Sequence, residues 1–447
     1  MKKAVHPQSN RPTALHLTSP HQNITTMAPS TTTQKPPLKS TLPPLLLGTA
    51  TFNTQYVPDP HSLPYRSIVA RAISLGVRGF DTSPYYGPSE ILLGDALNAL
   101  FTSESDPLPR EHVFIVTKAG RIAGDEFDYS PAWVRYSIYR SLQRLHTDYL
   151  DLVYMHDVEF VSPAEVLGAV KELRRLRDEE GVIKHVGISG FPVKVLAELA
   201  EMILRETGEP LDAVLSYGHF TVQNRLLGVD ELLARENEEE SVLKRFNKAG
   251  VEVILNASML GMGLLTQKGI PPNPESKESP LVKWHPSPPE LRIACKKLGE
   301  LAAAKGERLE SVAIRWALEE WARVGAEAGV GVDAGPGSLL KVGATVCGVS
   351  SIPELEETVT EWNGVLEGLE KLATAEKKEG RAYGSERQEK VLKLVEDEMW
   401  PALGDWADFA WASPGDGYVN TRRPEDKGQV PDDGVIAAHE ERVRNRK

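Results

Sequence analysis

VFIVTK (residues 113–118) is a short apolar run. It is followed by a longer amphipathic run, PAWVRYSIYRSLQRL (131–145), and by a second short apolar run, LDLVYM (150–155). Short apolar runs are typical of buried strands, and the amphipathic run is typical of a helix. Ser130 precedes that helix as a suitable N-cap, and Pro131 suits its first position. A strand, a helix and a second strand in this order predict a βαβ unit with parallel strands.

The same alternation extends in both directions along the chain, from Leu45 to Leu366. Eight parallel strands joined by helices close naturally into a barrel, so we predict an α/β fold of the (β/α)8 TIM-barrel class. A doubly wound open sheet is the alternative that periodicity leaves open, although no G-x-G-x-x-G motif follows the first strand. The predicted strands are 45–52, 77–81, 113–118, 150–155, 185–189, 213–217, 251–257 and 342–348. The predicted helices are 68–75, 90–100, 131–145, 164–177, 193–206, 242–249, 291–304, 309–321 and 353–366.

Composition excludes several classes of protein. The chain has 447 residues and a net charge of −12, and such an acidic balance argues against a large nucleic-acid footprint. No apolar run approaches the roughly 20 residues of a membrane helix. Two cysteines, Cys295 and Cys347, cannot build a disulfide framework or a Cys-rich zinc site, which favours a reducing compartment. We expect a small-molecule ligand, no nucleic-acid, membrane or metal partner, and a cytoplasmic location; the oligomeric state stays open.

The two ends of the chain differ from the barrel segment, which we assign to residues 44–372. Residues 1–43 contain no Asp or Glu and are rich in Ser, Thr and Pro, which predicts a disordered tail. A transit peptide, which would place the protein in mitochondria, is the alternative. Residues 373–447 are predicted to form a C-terminal extension, with a charged helix first and a disordered end.

Three smaller segments break the alternation. Glu231–Glu240 is a charged insertion that we expect to be solvated, and Gly325–Gly337 is predicted to be a flexible loop. Within the extension, we expect an aromatic cluster to pack on the barrel, with a role as a substrate lid as the alternative; the cluster consists of Trp400, Trp406, Phe409 and Trp411.

Polar residues of four types follow three consecutive predicted strands. Asp81 ends the second strand and Tyr86 lies shortly after it, Lys118 ends the third, and His156 follows the fourth. The carboxyl ends of the strands meet at one rim of an α/β barrel, where active sites lie. Each residue alone has a simpler explanation, such as a helix cap or a surface charge. Their convergence on one rim favours a functional site.

These four side chains suit proton transfer together. Tyrosine ionises near pH 10, and a lysine cation beside it favours the phenolate and lowers that pKa. An aspartate holds the lysine in place, and a neutral histidine hydrogen-bonds the substrate oxygen. Tyr86 is therefore the expected acid or base for an alcohol–carbonyl pair, while a cofactor supplies the hydride chemistry.

The segments GFDTSPYYGPSE (79–90) and DLVYMHD (151–157), with Lys118 between them, resemble the aldo-keto reductase family. The resemblance extends over Leu45 to Leu366 and implies a (β/α)8 barrel and a nicotinamide cofactor. It also implies a catalytic tetrad, which falls on Asp81, Tyr86, Lys118 and His156.

Three further segments resemble the aldose dehydrogenases of this family, the subgroup that includes D-arabinose 1-dehydrogenase and L-galactose dehydrogenase. They are AVLSYGHFTVQN (213–224), SMLGMGLLT (258–266) and CGVSSIPELEETV (347–359). The resemblance implies oxidation of the C1 hydroxyl of an aldose, such as D-arabinose, to the lactone. The alternatives are an aldehyde or ketone reductase of another substrate class, a nicotinamide-binding regulatory subunit, and a metal-dependent barrel hydrolase.

The resemblance also implies where the cofactor binds, with two departures from the family pattern. Ser189 matches a residue that holds the nicotinamide carboxamide, but Gly190 stands where many members have Asn. Ala257 stands where many members stack a tyrosine on the nicotinamide. The implied cofactor-binding residues are Ser189, Ser216, Ser258, Leu260, Gly348, Ser350, Glu354 and Glu357.

The choice between NAD and NADP depends on the charge near the 2′ position of the ribose. Members that bind NADP have a basic residue near the start of the last helix, where this chain has Glu354. A carboxylate repels a 2′-phosphate and accepts hydrogen bonds from free ribose hydroxyls. The simpler explanation, an acid that favours the helix dipole, is compatible with this. We predict NAD as the cofactor, with NADP as the alternative.

Overall fold

The computed structural model describes residues 36–233, 240–374 and 383–446. Eight parallel strands pair in chain order, and the last pairs with the first, so the sheet closes into a barrel. The barrel prediction is confirmed, and the open-sheet alternative is wrong. The strands are β1 (Leu45–Gly48), β2 (Gly79–Asp81), β3 (Phe114–Ala119), β4 (Leu150–His156), β5 (Ile183–Gly190), β6 (Ala213–Tyr217), β7 (Val253–Ala257) and β8 (Ala344–Gly348).

Helices surround the barrel and bury one face each against it. The helix after β3 begins as the sequence predicts, because the Ser130 hydroxyl accepts a hydrogen bond from Trp133 N at 3.4 Å and Pro131 occupies the first helical position. The helices are α1 (Tyr65–Ser74), α2 (Ser89–Phe101), α3 (Pro131–Arg144), α4 (Pro163–Arg175), α5 (Val193–Thr207), α6 (Val242–Lys248), α7 (Pro289–Ala304), α8 (Leu309–Glu327), α9 (Ile352–Thr374), α10 (Glu386–Lys393) and α11 (Val435–Arg446).

The register of the strands decides which residues share the rim. His156 on β4 is aligned with Ser189 on β5, and Gly190 is aligned with Ser216 on β6. All strands run in the same direction, so their carboxyl ends lie on one side of the barrel. The predicted site residues therefore meet at that side.

The region before β8 differs from the prediction. Gly325 lies inside α8, and Val332–Asp333 pairs antiparallel with Lys341–Val342, so the predicted loop over 325–337 is wrong for residues 325–333. Residues 334–337 lie in the turn between the two short strands. The chain turns at Gly343, where a Cβ atom would lie 2.2 Å from the Trp321 carbonyl oxygen. Val342 therefore belongs to this short ribbon rather than to the barrel strand.

The sequence predicts an N-terminal tail that extends to residue 43, but its last residues are part of the folded structure. Leu38–Thr41 forms a helical turn, and Leu38 and Leu42 are buried in the core. The Lys39 ammonium donates to the Gly329 carbonyl at 2.8 Å. The disorder prediction is wrong for residues 36–43, while residues 1–35 lie outside the described residues. Most of the predicted charged insertion, residues 234–239, also lies outside them.

The C-terminal extension packs along the barrel, and its predicted disordered end is instead α11. Trp400 Nε1 donates to the Val222 carbonyl at 3.1 Å, and the Trp411 ring stacks on Phe191 with centroids 4.7 Å apart. The predicted packing of the aromatic cluster is therefore observed. The predicted charged helix at the start of the extension includes residues 375–382, which lie outside the described residues.

An ion pair between Arg225 and Asp408 joins the extension to the loop after β6. The pair is bidentate, with Nη2 2.5 Å from Oδ2, and only 8% of the Arg225 side chain and 20% of the Asp408 side chain are exposed. Removing one partner leaves a charge buried without its counterion, which is strongly destabilising.

We expect Asp408→Ala to lower the free energy of unfolding by about 3 kcal/mol, because Arg225 loses its partner in a mostly buried position. Urea denaturation measures this change. The matched control is Asp426→Ala, which removes an ion pair with the largely exposed Arg423 and should lower the free energy of unfolding much less. Equal costs for the two variants would contradict the expectation.

Candidate active site

A buried ion pair lies at the rim between β2 and β3. Lys118 Nζ donates to Asp81 Oδ1 at 2.6 Å and to the Thr82 carbonyl at 2.9 Å. Both charged side chains are almost fully buried, with 2% of Lys118 and 5% of Asp81 exposed. The same ammonium lies 4.9 Å from the centroid of the Tyr86 ring. The structure therefore brings three of the four predicted residues together through the lysine.

His156, at the end of β4, completes the group. Its ring meets the Tyr86 ring edge-on, with centroids 5.6 Å apart. Its Nδ1 lies 3.0 Å from Ser83 Oγ, and that oxygen accepts a hydrogen bond from Tyr85 N at 3.1 Å. The Ser83 hydroxyl is thus free to donate to Nδ1, which leaves the imidazole proton on Nε2.

Burial keeps His156 neutral. It lowers the pKa of the imidazole to about 3, although the Asp157 carboxylate opposes the shift. Nε2 lies 3.6 Å from Asp157 Oδ2, too far for a hydrogen bond. A neutral imidazole with a proton on Nε2 is suited to donate a hydrogen bond to a substrate oxygen.

The pKa of Tyr86 differs from the expectation. Burial raises it well above the ordinary value of 10, and the carboxylates of Asp81 and Asp157 raise it further, while Arg121 opposes them. The net shift is therefore opposite in direction to the lowering that the Lys118 cation alone is expected to give. The phenol is the dominant form, so Tyr86 is poised first of all as a proton donor.

Arg121 and Asp157 form a second ion pair next to the four residues. The Arg121 guanidinium lies 3.9 Å above the Tyr85 ring, and Asp157 has a left-handed backbone with φ of 57°. Such backbone strain in a residue other than glycine concentrates at functional sites. Sequence analysis did not single out Arg121 or Ser83, because Arg121 lies in a loop without periodicity and only Asp81 and Tyr86 of the segment 79–90 were predicted as site residues.

The predicted cofactor side of the rim begins at β5 and β6. Ser189 Oγ donates to the Met155 carbonyl at 3.3 Å, and Ser216 Oγ lies 3.3 Å from His219 Nδ1. Both serines are buried at the ends of their strands. They lie beside His156, which is aligned with Ser189 across the sheet.

The turn after β7 has an unusual backbone. Ser258, Gly261 and Met262 have φ values of 59°, 55° and 53°, and Leu260 lies between them. Positive φ at the non-glycine residues Ser258 and Met262 is a strained backbone conformation, which concentrates at functional sites. This turn and the small residues near the ends of β5, β6 and β8 are compatible with an extended dinucleotide such as a nicotinamide cofactor; these residues are Ser189, Gly190, Ser216 and Gly348.

The end of β8 and the start of α9 carry the remaining predicted cofactor residues. Gly348 is exposed, and a Cβ atom there would lie 3.1 Å from Thr51 Cγ2. Ser350 N donates to Glu354 Oε2 at 2.7 Å, so this exposed carboxylate caps its own helix. Its other oxygen remains close to the Ser350 hydroxyl, at 3.2 Å.

Glu357 is not brought to the same place as Glu354. Its carboxylate pairs with Arg308 and accepts a hydrogen bond from Ser311 Oγ at 2.5 Å, which ties α9 to α8. Its predicted role in cofactor binding therefore has a competing structural explanation. Arg308 is a further residue that sequence analysis missed.

No cluster of three or more His, Cys, Asp or Glu side chains is arranged to hold a metal ion within residues 36–233, 240–374 and 383–446. The metal-dependent hydrolase hypothesis thus finds no ligand set in that part of the chain. Within the same ranges, every helix is too short or too polar to cross a bilayer.

Residues 44–369 match the family model of the aldo/keto reductases. The chain belongs to the aldo/keto reductase family. D-arabinose 1-dehydrogenase of Saccharomyces cerevisiae is 40% identical over 316 residues, which are 70% of this chain and 81% of that protein. L-galactose dehydrogenase of Arabidopsis thaliana is 32% identical over 310 residues, 68% of this chain and 84% of that protein.

The structure of glycerol dehydrogenase from Gluconobacter oxydans superposes on this aldo/keto reductase with a TM-score of 0.50 and 21% identity. It covers 82% of this chain and 93% of the other. At that identity the similarity shows the shared fold alone. Aldo/keto reductases use nicotinamide cofactors, in agreement with the fit of the rim.

The neutral His156 of this aldo/keto reductase predicts a pH effect on stability. The unfolded chain binds a proton at this residue near pH 6.5 and the folded chain only near pH 3, so the contribution is present above 6.5 and is lost as the pH falls. We expect His156→Asn to remove about 2 kcal/mol of the stability difference between about pH 7 and pH 5. Urea denaturation at both values measures it.

The control for this experiment is His61→Asn, a substitution at an exposed turn before α1. The difference in the free energy of unfolding between the two pH values should be the same in this variant as in the unchanged protein. A His156→Asn variant with the same pH dependence as that control would show that the folded protein does not keep this imidazole neutral.

Proposed function

We propose that this aldo/keto reductase oxidises the C1 hydroxyl of an aldose of the D-arabinose class to the lactone, with NAD as the hydride acceptor. The observation that carries the proposal is the buried Asp81–Lys118 pair beneath Tyr86, next to a neutral His156. The sugar class comes from the relatives, since D-arabinose 1-dehydrogenase is 40% identical over most of its length.

Tyr86 is the residue that we assign to proton transfer. Oxidation removes a proton from the C1 hydroxyl, and the phenolate form of Tyr86 accepts it. Lys118, with its ammonium 4.9 Å from the ring centroid, is placed to stabilise that form. Asp81 acts through Lys118 as a positioning residue, because its carboxylate fixes the ammonium at 2.6 Å.

His156 orients the sugar in this proposal. Its Nε2–H donates to the C1 oxygen, and the Ser83 contact at 3.0 Å holds the ring in that tautomer. Bound nicotinamide supplies the acceptor for the hydride that leaves C1. The Tyr86 and His156 rings are neighbours, with centroids 5.6 Å apart, which supports binding of the C1 oxygen between the phenol and the imidazole.

Reduction of an aldehyde or ketone is the second candidate. The raised pKa of Tyr86 favours it, since a phenol that keeps its proton is a donor to a carbonyl oxygen rather than a base. The same four residues serve both directions. Purified protein assayed with NAD or NADP and an aldose panel, and in reverse with reduced cofactors and aldehydes, distinguishes the two candidates.

We expect Tyr86→Phe to lower kcat by about 10²–10⁴-fold while the dissociation constant of the cofactor stays the same, because only the proton-transferring oxygen is lost. The absorbance of reduced nicotinamide measures turnover, and tryptophan fluorescence measures binding. The matched control is Tyr65→Phe on α1, whose hydroxyl donates to Asp95 at 2.8 Å on the outside of the barrel. Full turnover by Tyr86→Phe would contradict the role of Tyr86 in proton transfer. Cofactor binding without turnover of any substrate in the unchanged protein would favour the regulatory-subunit alternative.

The preference for NAD rests on the Glu354 carboxylate near the start of α9. We expect Glu354→Gln to lower the ratio of kcat/KM for NAD to that for NADP by about fivefold, since one negative charge no longer repels the 2′-phosphate. Glutamine keeps an oxygen that caps Ser350 N, so the helix start is preserved.

Glu356→Gln is the matched control for the cofactor ratio. It lies on the same helix but pairs with Arg71 on α1 at 2.7 Å. An unchanged ratio in Glu354→Gln, or an equal change in both variants, would contradict the assignment of Glu354.

A further inference from the structure

A carboxyl oxygen is buried beside the proposed nicotinamide site without a partner. Glu159 lies in the single turn that follows β4. Its Oε1 accepts hydrogen bonds from Phe191 N at 3.0 Å and from Ser413 Oγ at 2.9 Å. Its Oε2 is buried and has no hydrogen-bond partner among the described residues. Such a buried acceptor is costly unless a ligand satisfies it.

The same oxygen fills the space above Gly190, the last residue of β5. A Cβ atom at Gly190 would lie 2.4 Å from Oε2, so any larger residue would collide with the carboxyl group. Gly190 has no unusual φ that would itself require glycine. The close approach of the Glu159 carboxyl group therefore explains why position 190 is glycine. The carboxyl group occupies the space that a side chain at position 190 would fill.

The position of this oxygen points toward the cofactor. Gly190 directly follows Ser189, and it is aligned with Ser216 on the next strand. Phe191, whose N–H holds the other carboxyl oxygen, lies 5.4 Å from the Tyr217 ring at the end of β6. Oε2 is thus on the β5–β6 side of the rim, where the resemblance to the family implies that the nicotinamide carboxamide binds.

Two features fix the carboxyl group in this orientation. Ser413, from the C-terminal extension, donates a hydrogen bond to the carboxyl group. Trp411, from the same extension, stacks on Phe191, whose N–H donates to the same carboxyl oxygen. Burial and the nearby Asp157 carboxylate raise the pKa of Glu159 to about 8. The group is therefore held rigidly and is able to accept or donate a hydrogen bond near neutral pH.

We propose that Glu159 binds the carboxamide of the nicotinamide, with Oε2 accepting a hydrogen bond from the amide N–H in the space above Gly190. This inference rests on the proposed function, because it assumes that the β5–β6 side of the rim holds the nicotinamide. The carboxamide is a planar group with two N–H donors, so one of them pairs with Oε2. Glu159 is thereby a cofactor-binding residue of this chain and fixes which face of the nicotinamide meets the sugar.

The test compares NAD with its 3-acetylpyridine analogue, in which a methyl group replaces the amide NH₂. Dissociation constants are measured by isothermal titration calorimetry without substrate, so the readout does not depend on turnover. We expect the unchanged protein to bind NAD about tenfold or more tightly than the analogue, because the analogue leaves the buried Oε2 without its hydrogen bond.

Glu159→Gln is the variant that separates this role from a structural one. Phe191 N and Ser413 Oγ are donors, so the glutamine oxygen faces them and its NH₂ takes the place of Oε2. The NH₂ donates to the carbonyl that both ligands share, so the preference for NAD should vanish while both still bind. Glu201→Ala, which removes an ion pair with Arg245 far from the rim, should keep the preference.

A reciprocal exchange provides the second measurement. Gly190→Asn alone should weaken binding of both ligands, because its Cβ atom collides with Glu159. Glu159→Ala combined with Gly190→Asn should regain the preference for NAD, since an asparagine oxygen enters the same space. Thermal unfolding of each variant verifies that the fold is retained.

The outcomes separate the two proposals. Failure of the unchanged protein to bind any nicotinamide dinucleotide overturns the proposed function. Binding without a preference between NAD and the analogue, or a preference that persists in Glu159→Gln, overturns the role of Glu159 and leaves the proposed function standing. A lost preference that the double variant does not restore also overturns it, because Glu159 then acts only through the local structure.

Discussion

The ion pair between Asp81 and Lys118 is the interaction on which the site depends. Two charges removed from water cost several kcal/mol each, and their contact at 2.6 Å offsets this only where the surrounding structure holds both groups in place. The barrel does so, since both side chains leave adjacent strands near their carboxyl ends, with Lys118 two residues beyond the register partner of Asp81. The Thr82 carbonyl accepts a further lysine proton. Tyr86 and His156 take their positions around the cation, so the fold determines the chemistry through this one contact.

The barrel and the four rim residues were predictable from sequence for a simple physical reason. Buried strands and amphipathic helices leave periodic patterns, and the carboxyl ends of parallel strands must share one side of the sheet. Strand β6 was predicted with its observed bounds, and Asp81, Lys118 and His156 follow directly from their places at strand ends. These features depend on the local hydrophobic pattern and on the order of the strands along the chain, and both can be determined from the sequence.

Features that arise from contacts between distant segments were not predictable in the same way. Position 343 requires glycine because the Trp321 carbonyl leaves no room for a side chain. Helix α11 is held by contacts such as the stack of His439 on Tyr139, with ring centroids 3.7 Å apart. The pKa of Tyr86 depends on burial and on carboxylates that meet only in the folded chain. Neither spacing nor composition contains that information, so the packing of the extension and the direction of the Tyr86 pKa shift follow only from the folded structure.

The C-terminal extension also has a consequence for the order of events during synthesis. Ser413 and Trp411, which complete the surroundings of Glu159, lie more than 200 residues after Phe191, and they leave the ribosome after β8 has closed the barrel. A nascent chain that already has all eight strands therefore still presents Phe191 and Arg225 to solvent. The contacts that the extension makes with these two residues can form only when translation of the chain is nearly complete.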